Sequence, residues 1–464
     1  MNGRGFVNRR SACIGLTVRR RVKLPASRYS RVVPASQDCT ASCIIYCITY
    51  CITFMATTIL LRAKTPDRHA VQQLADWLAV AAAVSIPWST TATGILIALW
   101  LAAALPTLEL GALRREIESL AGGLPVLLWL LAALGLLWAD VSWSERFGGL
   151  ASFHKLLVIP LLLAQFRRSS NGMRVLIGFF ASVLVLLLVS WLLVLFPGLW
   201  RTSQFGVPAK DYILQSEEFL ICAFVLLGIA LNQACDGRWR SVAALFVLSL
   251  VFLGDIAFVA TGRTALLVVP VLVLLLGYRQ FRWRGLVGAA LVFGVLGGAT
   301  IAGSPYLRTR LATSVSEMQA WETRDASNST GLHLEFLKKS VSFVKTAPLI
   351  GHGTGSIAEQ FRNAAAGQSG AAGVVSVNPH NQILAVAIQL GLVGAAVLLA
   401  MWGAHLALFR GGSLTAWIGL VVVVQNIVAC LFNSHLFDFT QGWLYVFGVG
   451  VTGGMALRER TGAK

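Results

Sequence analysis

Residues 174–196 read RVLIGFFASVLVLLLVSWLLVLF, and this stretch decides the class of fold. Arg174, at its first position, is its only charged residue. A helix needs about 20 predominantly apolar residues to cross a bilayer, so this stretch is long enough to form a membrane span.

Other segments share this character, and the sequence predicts an all-α polytopic membrane protein with about 12 transmembrane helices. The predicted spans are 72–88, 89–106, 123–139, 147–166, 174–196, 215–232, 240–259, 264–280, 285–303, 381–407, 413–431 and 438–456. The composition agrees, because 56% of the 464 residues are hydrophobic and only 12% are charged. Soluble domains carry charge on about a quarter of their residues, so a soluble enzyme is excluded.

Positive charge divides the loops into two alternating sets. The formal net charge is +18, which in so apolar a chain indicates basic cytoplasmic loops rather than nucleic-acid binding. The basic set carries Arg114, Arg115, Arg167, Arg168, Arg174, Arg238, Arg240, Arg279, Arg282, Arg284, Arg410, Arg458, Arg460 and Lys464. The positive-inside rule therefore predicts that both termini are cytoplasmic, and that the long connection between spans nine and ten lies on the other side.

These predictions divide the chain into four parts. Residues 1–70 form a basic N-terminal extension, interpreted as disordered or as a mis-called start, because Met55 is followed by a short polar lead-in. Residues 71–303 carry spans one to nine, and residues 304–380 form a large, partly helical loop outside the membrane. Residues 381–464 carry the last three spans and a cytoplasmic tail.

The loop 304–380 is the longest polar segment. Between Ser329 and Pro348 its apolar residues recur at helical spacing, which predicts an amphipathic helix lying over the bundle. Residues 351–355, Gly-His-Gly-Thr-Gly, are interpreted as a turn ending that helix; a phosphate cradle is the alternative, although no strand precedes it. His380 follows where the chain re-enters the membrane. It is either a local cap or, as a neutral imidazole beside a polar loop, a proton acceptor.

Basic residues also occur on this side of the membrane. Arg263 lies in a tight turn, where it either snorkels to lipid headgroups or holds a phosphate through its guanidinium fork. Arg201 and Lys210 lie in another loop of the same side and could share that role. Lys155 lies near the middle of span four, and an intramembrane lysine is a candidate functional residue. A last polar cluster on this side, equally explained by helix-end packing, comprises Asn433, His435 and Asp438.

Three motifs that would announce metal or nucleophile chemistry are missing from the sequence: Asp-x-Asp, Gly-x-Ser-x-Gly and His-Glu-x-x-His. The sequence therefore predicts a reaction that uses neither a metal nor a cofactor.

Two groups of residues resemble the paired motifs of bacterial O-antigen ligases. They are Arg263-x-x-x-Leu267, and His380-Asn381 followed after nine residues by Gly391-x-x-Gly394. Residues 329–355, which begin Ser-Thr-Gly and end Pro-Leu-Ile-Gly-His-Gly-Thr-Gly, also resemble the signature of the wider ligase and polymerase superfamily. The resemblance extends over about residues 70–456.

The resemblance implies an inverting glycosyltransferase of the bacterial inner membrane with a periplasmic active site. It would transfer O-antigen from undecaprenyl pyrophosphate to lipid A–core oligosaccharide, in lipopolysaccharide biosynthesis. His380 matches the catalytic histidine and Arg263 the first arginine, whereas His333 stands where a second arginine is usual. The residues predicted to hold the pyrophosphate are Arg263, Arg201, His333 and Lys155, with Asn381, Lys210 and His435 in support.

Three other functions are compatible with parts of this sequence. An O-antigen polymerase shares the donor chemistry but extends a lipid-linked chain. A protein O-oligosaccharyltransferase is disfavoured by the short tail after the last span. A transporter of 12 spans is disfavoured because the sequence shows no internal repeat and its long loop is not at the midpoint.

Overall fold

The computed structural model describes residues 67–199, 202, 204–303, 308–309, 312–313, 315–316 and 329–462. Arg201 and nearly all of the predicted N-terminal extension, 1–70, lie outside these residues, as does much of the first part of the loop 304–380.

The described residues form helices and no strands, which confirms the predicted all-α class. In chain order the helices are α1 (Arg68–Ser85), α2 (Thr90–Ala104), α3 (Leu110–Glu118), α4 (Leu120–Leu134), α5 (Trp143–Ala151), α6 (Val158–Arg168), α7 (Gly172–Leu195), α8 (Tyr212–Cys235), α9 (Trp239–Phe258), α10 (Arg263–Gly303), α11 (Ser329–Thr346), α12 (Ile357–Ala365), α13 (Gln382–Leu408), α14 (Leu414–Ala429) and α15 (Phe439–Arg460). A short 3₁₀ helix, His154–Leu157, links α5 to α6.

Each predicted span overlaps one of these helices, but fewer of them are long and apolar enough to cross a membrane. Six helices of the described chain meet that test by length and composition, or up to eight if each of two bent pairs is one span. The bent pairs are α3 with α4, at 85°, and α5 with its 3₁₀ extension and α6, at 43°. The count of 12 therefore stays a prediction.

The helix α10 explains part of this difference. It runs for 41 residues, yet its backbone is not helical at Arg282, where φ is 55°. Gly277 and Gly285 approach so closely that a side chain on either would overlap the other's carbonyl group. The chain therefore folds back at Arg282, and the predicted spans 264–280 and 285–303 correspond to the two arms of this hairpin.

Hydrogen bonds between helix ends define the two ends of the bundle. At one end, here the site end, Lys210 binds the carbonyl of Ile86 and lies 2.8 Å from Thr440 Oγ1, while Lys155 binds the carbonyl of Asp438 at 2.6 Å. At the other, here the basic end, Arg460 donates to the carbonyl of Leu408 at 2.5 Å. Arginines of other basic loops lie at this end too, because Arg167 is beside Gly454 of α15 and Arg279 donates to the carbonyl of Ser413 at 3.0 Å.

Two apolar clusters stabilise the described fold. The larger lies within the bundle and includes the fully buried Trp100, Trp417 and Tyr445. The smaller joins α11, α12 and α13 through Phe336, Phe343, Phe361, Ala385 and Ile388, together with Ile357. The predicted amphipathic helix is thus present as α11, and its apolar face packs beside the start of α13.

Candidate functional site

The backbone holds His380 in an unusual conformation. Its φ is 54°, in the left-handed region that non-glycine residues rarely adopt. Its amide N–H donates to Asn378 Oδ1 at 2.8 Å. The next residue, Asn381, caps α13 by accepting from the N–H of Leu384 at 3.1 Å. The strain of this conformation is offset by these local hydrogen bonds, and His380 is presented at the site end just before α13 begins.

The imidazole of His380 packs against α11. The His333 ring stacks on it with centroids 4.1 Å apart and planes 24° apart. The Phe336 ring lies parallel to it at 5.8 Å. Positions three apart lie on one face of a helix, so a single face of α11 supplies both rings. The two histidines that the sequence analysis singled out are therefore in contact.

The surroundings keep the His380 imidazole neutral. Burial, followed by the positive charge that His333 gains on protonation, lowers the pKa of His380 from 6.5 to about 4. The side chain of Asn433, within hydrogen-bonding reach, and the charge of Asp438 oppose this shift. Asn381 plays no such part, because its amide donates to the carbonyl of Leu431 at 3.0 Å. At neutral pH the ring can accept a proton.

Arg263 is the exposed first residue of α10. The preceding Gly262 is buried so closely against Ser216 that a Cβ atom there would overlap the serine hydroxyl, and this fixes the turn. Burial, followed by the positive charge of Arg263, lowers the pKa of His333. In the described part of the chain no group hydrogen-bonds to the Arg263 guanidinium or forms an ion pair with it. Its donors are available to a ligand close to the two histidines.

A buried polar chain connects this site to α8. His435, 1% exposed, lies 3.1 Å from Glu217 Oε1 through Nε2 and 3.2 Å from Asp438 Oδ2 through Nδ1. Gln425 Nε2 donates to the other oxygen of Glu217 at 3.1 Å. Although burial lowers it, the neighbouring carboxylates raise the pKa of His435 above its ordinary value. His435 therefore lies between two carboxyl groups that favour its charged form.

The two lysines predicted at the site act as ties between helix ends. Lys155 Nζ donates to the carbonyls of Phe437 and Asp438, at 3.0 and 2.6 Å. Lys210 Nζ donates to the carbonyl of Ile86 and to Thr440 Oγ1. Both ammonium groups thus donate hydrogen bonds to the protein itself, unlike the guanidinium of Arg263.

The glycine-rich stretch 351–355 is a structural turn. Its amide N–H groups donate within the protein, as in the bonds from His352 to the carbonyl of Ile388 at 2.8 Å and from Gly353 to that of Gln389 at 2.9 Å. The other three amides donate to Ala347 O, Gly135 O and Gln389 Oε1. A phosphate cradle needs free amides, and none remain here.

This turn docks into a break in α13. Gly391 has a φ of 64°, and a Cβ atom there would overlap the carbonyl of Leu349. The N–H of Leu392, freed by the break, donates to the carbonyl of Pro348 at 2.7 Å. The glycine-containing segments 351–355 and 391–394 are therefore joined through backbone contacts, and these hold the end of α11 against α13.

Two buried acids that were not predicted are Glu217 and its neighbour Glu218. The sequence does contain a sign of them, because two adjacent acids within an apolar span are candidate functional residues. Asn433 was not predicted as the residue beside His380 either, since nothing in the sequence pairs the two. Within the described residues no group of three or more His, Cys, Asp or Glu side chains is arranged to hold a metal ion.

The fold and the site together define a multi-pass helical membrane protein with a histidine and an arginine at one end. The family model described as O-antigen ligase matches residues 244–399, which include Arg263, His333, His380 and both glycine motifs. The match confirms the resemblance to the O-antigen ligase and polymerase superfamily. A search of the curated proteins found no match.

Proposed function

We propose that this protein is a periplasmic glycosyltransferase that moves O-antigen from undecaprenyl pyrophosphate to lipid A–core oligosaccharide in the inner membrane. The observation that carries the proposal is the neutral imidazole of His380, stacked on His333 with the exposed guanidinium of Arg263 nearby. The family match supports this class of reaction, and the apolar helices support its location in a membrane.

A sugar linked to pyrophosphate is already activated, so two functions suffice for transfer. A base takes the proton of the acceptor hydroxyl, and cations neutralise the departing pyrophosphate. General-base catalysis typically contributes ~10²–10⁴-fold, and fixed positive charge at the leaving group often contributes more.

In the proposed reaction the acceptor oxygen attacks the anomeric carbon while its proton passes to His380. The bond between that carbon and the pyrophosphate oxygen breaks, and the pyrophosphate leaves with the electron pair. Arg263 binds the oxygens that gain negative charge, through two parallel N–H bonds. Direct displacement inverts the anomeric centre, and His380 then releases its proton to water.

The orientation of the site follows from charge. Arginines of several basic loops lie at the basic end, and the positive-inside rule assigns that end to the cytoplasm. His380, Arg263 and His333 belong to the opposite, periplasmic end in this proposal. The exposed apolar residues of α10 then face lipid.

The test is transfer by the purified full-length protein in lipid nanodiscs, supplied with lipid-linked O-antigen and lipid A–core. We expect His380→Ala and His380→Asn to abolish transfer while retaining donor binding, because Asn cannot accept the proton. His69→Ala, at the exposed start of α1, is the matched control and should keep full activity. Near-normal transfer by His380→Asn would refute the assignment of the base. Longer carrier-linked chains in place of product on lipid A–core would instead show a polymerase.

A further inference from the structure

A second cleft lies at the site end, beside the segment that leads into His380. It encloses about 380 Å³, and Val377, Asn378 and Pro379 form part of its wall. The start of α12 and one face of α5 form the facing walls, through Ala358 and Gly148 among others. Neither Arg263 nor His333 lines it, so it is separate from the cationic part of the site.

The polar groups of this cleft are acidic or neutral. Asp438 and Glu145 supply carboxylates, and Asn378, Ser434 and Ser152 supply amide and hydroxyl groups. No lysine, arginine or histidine is among its described lining residues. Glu145 is already engaged, because Arg362 pairs with its Oε1 at 2.5 Å and Ser142 donates to its Oε2. Asp438 is therefore the carboxylate that can accept strong hydrogen bonds from the neutral hydroxyl groups of a ligand. The chemistry of the cleft therefore suits an uncharged ligand rich in hydroxyls.

Part of this hydrogen-bonding capacity is free. The Asp438 side chain is 39% exposed, and one of its oxygens, Oδ2, contacts His435 and Asn433. Its other oxygen accepts no hydrogen bond from the described residues. Pro379, Ile357 and Phe437 add apolar surface to the lining, against which the face of a sugar ring can pack.

The position of the cleft relates it to His380. Asn378 lines the cleft and also accepts the amide N–H of His380 at 2.8 Å. Asp438 lines it too, and lies close enough to His380 for the two to interact electrostatically. A ligand in the cleft thus lies next to the His380 segment, while cations approach the same histidine from α10 and α11.

We propose that the cleft between α5, α12 and the segment 377–379 binds the acceptor saccharide through its hydroxyl groups. The inference rests on the proposed function for the identity of the acceptor. It places the two substrates on different groups: the anionic donor lies with Arg263, and the neutral sugar lies with Asp438.

Gly148 offers a way to fill the cleft without disturbing the fold. It lines the cleft within α5, and a Cβ atom placed on it meets nothing within 4 Å. Gly111 in α3 has the same open surroundings and does not line the cleft. Gly148→Leu and Gly111→Leu therefore add the same side chain to open space, and only Gly148→Leu adds it at the cleft. Ala358→Leu adds a larger side chain to the cleft from its α12 wall, and it is the variant to measure if Gly148→Leu does not fold.

The experiment measures binding of core oligosaccharide, released from lipid A and dephosphorylated, to the full-length protein in nanodiscs. We expect Gly111→Leu to bind like the natural protein, and Gly148→Leu to raise the Kd at least about tenfold. Inorganic pyrophosphate should not displace the oligosaccharide. Equal binding by both variants, no binding by the natural protein, or displacement by pyrophosphate each overturns the proposal.

Transfer assays separate this inference from the proposed function. Suppose that Gly148→Leu weakens oligosaccharide binding but the natural protein shows no transfer. This result supports the acceptor cleft and refutes the proposed glycosyltransferase activity. Transfer with an unchanged KM for the acceptor in Gly148→Leu refutes the cleft and leaves the glycosyltransferase. A rise in the KM for the acceptor, with the KM for the donor unchanged, supports both.

Discussion

The stack of His333 on His380 makes the pH dependence of the reaction a direct test of the site. When His333 is protonated, its charge lowers the pKa of His380, whose ring is in contact with it. His333→Phe preserves an aromatic ring at this position but removes the charge. The variant should therefore raise the pKa of His380 from about 4 toward the ordinary value of 6.5.

The size of the effect follows from the distance. Two unit charges about 4 Å apart repel by ~1 kcal/mol in water and by ~4 kcal/mol at an effective dielectric constant of 20. One pKa unit corresponds to ~1.4 kcal/mol. His333 is exposed and the ring centroids are 4.1 Å apart, so the lower end of this range applies. We expect a rise of about one unit. Burial, the larger cause of the low pKa, remains in the variant.

The assay is kcat/KM for transfer as a function of pH, because its acid limb reports the pKa of the base in the free enzyme. A base is active when neutral, so a low pKa extends activity into acid. The natural protein should lose activity only near pH 4, and His333→Phe should lose it about one unit higher. If His333→Phe also weakens pyrophosphate binding, kcat/KM falls at every pH, but the pH of the acid limb does not change. An acid limb at 6.5 in the natural protein, or an unshifted limb in His333→Phe, would refute this account.

Three further predictions concern Arg263, Gly391 and His435. Arg263→Lys keeps the charge but loses the fork, so transfer should fall by about tenfold or more, ~1.4 kcal/mol, at normal expression; full activity would indicate headgroup snorkelling instead. Gly391→Ala should lower the Tm, because left-handed backbone costs a residue with a side chain ~1–2 kcal/mol, in addition to the overlap of the new Cβ with the Leu349 carbonyl. The control is Gly403→Ala in the same helix, which should leave the Tm unchanged because a Cβ there meets open space. The raised pKa of His435 stabilises the fold below pH 6.5 and loses that effect as the pH rises through the folded-state pKa. The Tm should therefore fall in alkali, and His435→Gln should flatten this dependence at a lower Tm.

Local signals in the sequence were sufficient to locate the helices. Long apolar runs predict spans wherever loops interrupt them, and the stretch from Ser329 to Pro348 predicted α11 from spacing and a terminating proline. The hairpin at Arg282 was located as a basic loop between two spans. The bends between α3 and α4, and between α5 and α6, were not predicted, because a run of apolar residues looks the same whether its axis is straight or broken.

The candidate site was predicted residue by residue but not as a geometry. His380, His333 and Arg263 were named from spacing and resemblance, and the structure brings them together. Lys155 and Lys210 were named for their charge, yet their ammonium groups bind main-chain carbonyls. Sequence position shows that a lysine is buried in an apolar segment, but not whether its partner belongs to the protein or to a substrate. Only the contacts between helices distant in the chain answer that question.

The buried charges around His435 bear on how the site and the fold depend on each other. A carboxyl group inside an apolar helix is costly unless it has polar partners. Glu217 has two: Gln425 of α14, and His435, which the loop before α15 brings to within 3.1 Å of it. The same loop carries Asn433 and Asp438, which act on His380. Leaving a buried polar group without its partner typically costs ~1–3 kcal/mol, so we expect a change at Glu217 to weaken the bundle and to loosen the contact that holds this loop. It follows that loss of activity alone does not identify a catalytic group here. Only a measurement that separates pH profile from stability, as at His333, distinguishes a residue that takes part in proton transfer from one that holds the loop in place.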